Sequence, residues 1–200
     1  MKSLKTILTI ITAGILSLSV QAESNSDWSN LKSKKQTKLG LYMTPNQASN
    51  YMKKHESKAL FIDVRTRPEV NFLGMPTVAS SNIPYMKMND WYSWNAKKKN
   101  FNLDVNSEFS STVEDLVKAK GLTKNDTLIL ICRSGSRSSK AADLLSKLGY
   151  TKVYSIPEGY EGDKSKAVMT KGQRIVNGWK NSGLPWSYKL QVSKMYKVGE

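Results

Sequence analysis

The stretch Thr127-Leu-Ile-Leu-Ile-Cys-Arg-Ser-Gly-Ser-Arg-Ser-Ser-Lys-Ala-Ala-Asp-Leu-Leu145 decides the architecture. Thr127 to Ile131 has the length and apolar character of a buried strand, and it delivers the chain's only cysteine, Cys132, to the strand's end. The turn Arg133-Ser134-Gly135-Ser136-Arg137-Ser138 then opens a helix whose apolar positions are Ala141, Leu144, Leu145 and Leu148. A lone thiol therefore faces a helix N-terminus. Backbone N–H groups from Arg133 to Ser138 can curl around one point, the helix end adds partial positive charge, and Arg133 and Arg137 add formal charge. All three favour an ionised sulfur and an anionic reactant. Gly135 supplies the backbone freedom that so tight a turn requires. A cysteine that ends an apolar strand is by itself an ordinary small core residue. Two Arg, three Ser and a Gly immediately after it make a poor core filler and a good anion cradle, so the thiol reads as a nucleophile.

Working outward, Cys132-Arg-Ser-Gly-Ser-Arg137 resembles the active-site loop of rhodanese-type sulfurtransferases, and Phe61-Ile-Asp-Val-Arg-Thr-Arg-Pro-Glu69 resembles that family's upstream Asp-Val-Arg…Glu signature. Ile156-Pro-Glu-Gly-Tyr160 and Gly178-Trp-Lys-Asn-Ser-Gly-Leu-Pro185 extend the likeness over about residues 43–186. The resemblance implies a Cys132 persulfide, held by Arg133, Ser134, Gly135, Ser136, Arg137 and Ser138, with Arg65 and Arg67 near the rim of the site. The partners it implies are a small sulfur oxyanion donor such as thiosulfate, a thiol or cyanide acceptor, and a possible protein sulfur acceptor. A non-catalytic persulfide carrier is the alternative. In the family this loop resembles, six residues from Cys to the closing Arg imply a sulfur handler, whereas phosphatase and arsenate-reductase relatives carry one more. Ile131 also stands where a cysteine phosphatase has His. The chain reads Gly74-Met-Pro-Thr77 where many family members have Gly-His-Ile, a packing difference that leaves the thiol untouched. No cofactor is implied, and the sequence has no metal-ligand cluster and no phosphate-binding glycine fingerprint.

Met1-Lys-Ser-Leu-Lys5, the apolar run to Val20 and the small residues of Val20-Gln-Ala22 have the pattern of a cleavable signal peptide over residues 1–22. The run is too short and too interrupted by Thr and Ser to hold in a bilayer, so the mature chain is expected to be periplasmic or secreted, without stable membrane insertion. One cysteine excludes an intramolecular disulfide even where the compartment permits it. The formal charge of +15 is carried by lysines such as Lys32, Lys34, Lys35, Lys38 and Lys97 to Lys99, in polar segments without regularly spaced aromatics. That favours solubility and long-range attraction of small anions, and argues against nucleic acid as a partner.

Residues 23–42 hold little to bury and predict a mobile leader, with a short strand over Leu39 to Tyr42. Thr44-Pro45 starts a helix that ends by a surface His55. Ala59 to Val64 is a central parallel strand, after which Asp63 caps a turn and Arg65 pairs with Glu69. A strand over Ala79 to Met86 precedes an insertion, residues 87–106, with Trp91, Tyr92, Trp94 and Phe101; the pattern allows either a lid over Cys132 or a cover for the sheet. A helix with Phe109, Val113, Leu116 and Val117 on one face follows. After the cysteine helix come a strand over Lys152 to Ile156, a loop with Glu158 and Glu161, and a last helix over Gly172 to Trp179. The tail, residues 187–200, alternates Tyr188, Leu190 and Val192 with polar residues, an edge-strand pattern. Strands alternating with helices predict one α/β domain, a mainly parallel central sheet with helices on both faces.

Overall fold

The computed structural model describes residues 27–88 and 93–198. The expected signal peptide, and Trp91 and Tyr92 of the insertion, lie outside them.

Four parallel strands form the central sheet, in the order Ser81–Asn82, Ala59–Asp63, Thr127–Ile131, Val153–Ser155. Every residue of the two middle strands is buried, which is why both are written as unbroken apolar runs rather than as an alternation. Their register sets Ala59 beside Thr127 and Asp63 beside Ile131, so both strands end level, and Cys132 emerges beside Val64. The Val64 N–H completes that edge by donating to the Ile131 carbonyl at 2.8 Å.

Alternate side chains feed two cores. Leu60, Ile62, Leu128 and Leu130 pack on one face with Phe109, Val113 and Val117 of helix α3 (Phe109–Ala119) and with Ala141 and Leu145 of helix α4 (Ser136–Lys147). Phe61, Ile129 and Ile131 pack on the other with Ala48 and Met52 of helix α1 (Pro45–His55) and Val70 of helix α2 (Arg67–Leu73). Helices α1 and α2 both begin on a full capping box. Thr44 with Gln47, and Thr66 with Glu69, satisfy first-turn N–H groups reciprocally, each next to a proline in the first turn.

Several expectations need correction. The segment from residue 27 to 42 is docked, not loose. Lys35 is 4 % exposed, Ser139 Oγ donates to the Lys34 carbonyl at 3.0 Å, and Tyr42 bridges to Ser155 at the edge of the sheet. Polar composition hid this because the docking is carried by hydrogen bonds and an ion pair. The strand expected over Ala79 to Met86 shrinks to Ser81–Asn82, since Pro84 has no N–H to offer a ladder. No helix forms over Gly172 to Trp179. Gly172 and Gly178 adopt φ of +89° and +99°, and Trp179 is buried against Phe61, with ring centroids 5.2 Å apart. The tail's ladder is only Trp186–Ser187, antiparallel to Met75–Pro76. Beyond it Tyr188 and Val192 are exposed, and the chain returns to the sheet where Met195 bridges to Asn82.

The described part of the insertion is a small hairpin, Trp94–Asn95 against Asn100–Phe101, with the two rings edge to face at 5.3 Å. Met86–Lys87 and Asp104–Val105 pair at its base.

Candidate active site

The strand Thr127–Ile131 sets Cys132 at its end, and Gly135, at φ +93°, turns the chain straight into helix α4. The Gly135 N–H donates to the Cys132 Sγ at 3.1 Å. Ser138 Oγ lies 3.5 Å from the sulfur and 3.1 Å from the Gly135 carbonyl, and it accepts from Ser155 Oγ at 2.9 Å. Cys132 is 1 % exposed, so these dipoles act on the sulfur with little competition from water.

A second loop clamps the first. The Tyr160 N–H donates to the Cys132 carbonyl at 2.8 Å and the Glu161 N–H to the Arg133 carbonyl at 3.0 Å. The approach is close enough to forbid side chains. A Cβ on Gly135 would stand 2.1 Å from the Pro157 carbonyl oxygen, and one on Gly159, at φ +72°, would stand 2.5 Å from the Ser134 nitrogen. Glycine is needed at both positions for space as well as for dihedral freedom.

Both loop guanidiniums are already engaged. Arg137 holds Glu69 through two parallel bonds of 2.6 and 2.5 Å, and Arg133 pairs with Glu161. Burial pushes the Glu69 carboxyl up, but Arg137 and the Thr66 N–H outweigh it and hold the group at about 2. Negative charge on Cys132 is therefore met at closest range by oriented N–H and O–H dipoles, with each flanking cation shared with a carboxylate.

Arg65 and Arg67, expected near the rim, both have their guanidiniums engaged in structural contacts. Arg65 is fully buried, with two bonds from Nε and one from Nη2 to the Asp63 carboxylate, a bond to the Gly74 carbonyl at 2.8 Å, and the Tyr160 ring 3.7 Å from its Cζ. It pairs with Asp63, where the sequence suggested Glu69. Arg67 donates to the carbonyls of Tyr196 and Lys197 and so ties down the tail. Glu158, also on the clamping loop, accepts from the Gly178 N–H at 3.0 Å. Ser134 stands in the loop, and Ser136 is the first residue of α4.

Three residues near the loop escaped sequence reasoning: Glu69 as the partner of Arg137, Ser155 behind Ser138, and Arg174. Arg174 donates to the Gly162 carbonyl, while its Nε is buried without an acceptor. Burial and the nearby Arg133 charge push its pKa down, against the opposing pull of the Glu161 and Asp163 carboxylates. No motif marks it. Its place follows from the turn that replaced the expected helix.

Among the described residues there is no group of three or more His, Cys, Asp or Glu able to hold a metal ion, and no helix long and apolar enough to cross a membrane.

A parallel α/β sheet with a buried cysteine between a strand end and a helix N-terminus defines a cysteine-loop α/β protein. The chain belongs to the rhodanese-like domain family, whose model matches residues 44–166. Rhodanese-like domains include sulfurtransferases as well as many non-catalytic members. Curated relatives include an uncharacterised protein of Rickettsia rickettsii, 32 % identical over 130 residues, and one of Rickettsia conorii, 31 % identical over 130 residues; both alignments cover 65 % of this chain and 84 % of the relative. A crystal structure from M. tuberculosis is 26 % identical with a TM-score of 0.53, covering 74 % of this chain and 96 % of that one. The polysulfide-sulfur transferase homodimer of Wolinella succinogenes is 18 % identical with a TM-score of 0.47, covering 80 % and 85 %.

Proposed function

We propose that the protein is a sulfurtransferase that carries sulfane sulfur as a persulfide on Cys132. The thiolate attacks the outer sulfur of thiosulfate or a similar anion, the sulfur–sulfur bond of the donor breaks, and sulfite leaves with the electron pair. A thiol or cyanide then takes the outer sulfur and restores the thiolate. Two such half-reactions predict ping-pong kinetics. The observation that carries this reading is the Gly135 N–H aimed at the Cys132 sulfur at 3.1 Å inside a closed six-residue loop. The sequence of residues 1–22 supports export, and we place the working protein in the periplasm or outside the cell.

Intact mass of the reduced protein before and after thiosulfate tests the covalent step. A gain of one sulfur (about 32 Da), reversed by cyanide and absent from Cys132→Ser, is the expected result. No gain with any small sulfur anion sinks the reading. One observation favours a carrier as the second reading: both loop guanidiniums are paired and the thiol is 1 % exposed, which slows capture of a free donor anion. A persulfide that forms once but does not turn over with thiosulfate and cyanide is the signature of that case.

A further inference from the structure

Next to the cysteine loop lies a pocket of about 600 Å³, within the range of about 300–1,000 Å³ that takes small organic ligands and larger than a five-atom sulfur oxyanion needs. Ser134, two residues after Cys132, is part of its wall. Lys32 and Lys34 line it from the docked N-terminal segment, and Lys164, Lys166, Lys171 and Arg174 from the turn that follows the clamping loop. Lys164 and Arg174 pair as an antiparallel bridge, which fixes that side. With Lys35, seven cations line a space that has one carboxylate, Asp163, and Lys35 already holds that carboxylate at 2.9 Å. Gathered like charges repel, and a bound anion relieves that repulsion.

We infer that this pocket binds the sulfur acceptor, a small thiol that carries two or more negative charges. The inference rests on the Cys132 persulfide reading. The acceptor's anionic groups meet the lysines and Arg174, and its thiolate reaches past Ser134 to the cysteine. There the thiolate attacks the outer sulfur of the persulfide. A new sulfur–sulfur bond forms on the acceptor, the bond to Cys132 Sγ breaks, and its electron pair returns to Sγ, so the step needs no oxidant or reductant. Size separates the two half-reactions: a small donor needs only the loop, and an acceptor is selected by the charges beside it.

The test follows discharge of the preformed persulfide by two thiols, mercaptosuccinate with two carboxylates and neutral 2-mercaptoethanol, at equal thiolate concentration and low salt. The dianion is expected to be faster by at least about tenfold, a ratio that shrinks as salt rises. In the triple variant Lys164→Gln, Lys166→Gln, Lys171→Gln the ratio falls towards one, and with Arg at the same three positions it returns. Equal rates in the natural protein, or a ratio the Gln variant leaves unchanged, overturn the inference. Titration with the unreactive S-methyl ether of mercaptosuccinate gives a readout independent of sulfur transfer. Saturable binding, weakened about tenfold in the Gln variant, keeps the pocket assignment standing even if no persulfide forms, and then only the sulfur-transfer reading fails. No binding removes the pocket as a small-anion site and leaves an acidic protein surface as its occupant.

Discussion

Arg137 holds both carboxylate oxygens of Glu69, at 2.6 and 2.5 Å, across 68 positions of sequence. The pair joins the first turn of helix α4 to the first turn of helix α2, and the same carboxylate caps α2 through the Thr66 N–H at 2.9 Å. One acidic group therefore fixes the cysteine loop's closing residue to the sheet's neighbouring strand end.

The pH dependence of stability follows from that pair. The folded Glu69 carboxyl sits at about 2 against an ordinary value of 4.5, so its stabilisation is complete above about pH 4.5 and is lost as pH falls towards 2. The contribution at neutral pH is on the order of 3 kcal/mol. Glu69→Gln should lose it and flatten the pH dependence between 4.5 and 2. Urea unfolding of both proteins at pH 3 and pH 6 measures the difference, and parallel profiles would reject the assignment.

The buried Asp63–Arg65 pair is structural. Removing one partner leaves an uncompensated charge in the core, so Asp63→Asn should destabilise by about 3–5 kcal/mol, more than it impairs transfer by the molecules that remain folded. Denaturant unfolding, together with activity corrected for the folded fraction, separates the two. A stable but inactive Asp63→Asn protein would move Asp63 into the chemistry.

Gly135→Ala should be more damaging than its one methyl suggests. The added carbon has no space before the Pro157 carbonyl, and φ of +93° is strained for alanine. The two loops must part, which moves the N–H away from the sulfur. Persulfide formation is expected to slow by about a hundredfold or more, on the scale of losing an oriented N–H donor. Normal persulfide formation in this variant would remove the Gly135 N–H from the mechanism.

Ser138→Ala removes the hydroxyl between Ser155 and the cysteine loop. The buried Ser155 Oγ then lacks its acceptor, at a cost of about 1–2 kcal/mol, and the sulfur loses its O–H neighbour. Rates of persulfide formation and thermal midpoints should both fall, with Ser155→Ala reproducing more of the stability loss than of the rate loss. Identical effects from both serines would make the relay purely structural.

The family and the central strands were legible because both are local signals. An apolar run of strand length, a Gly/Ser/Arg turn after a cysteine and a Thr-Pro helix start each act within a few residues. What escaped was pairing at a distance. Arg65 and Glu69 are neighbours in sequence, yet Arg65 turns inward to Asp63 and Glu69 turns to Arg137, because burial of Arg65 beneath Tyr160 decides between carboxylates that sequence spacing leaves equivalent. Arg174 was misplaced for the opposite reason. Residues 172–179 carry a helix-like pattern, but positive φ at Gly172 and Gly178 and the burial of Trp179 override it. The leader's docking was invisible because Lys35 is buried by a partner, Asp163, that lies 128 positions away.

The flanking segments have one more consequence. Both outer strands of the central sheet are covered by chain from outside the core repeat of strand and helix: Leu41 and Met43 bond to Ser155 on one side, and Tyr196 bonds to Asn82 on the other, beside Ser81 Oγ on the Lys194 carbonyl. Bare strand borders invite pairing between molecules. The flanking segments thus leave less of either sheet border open to such pairing.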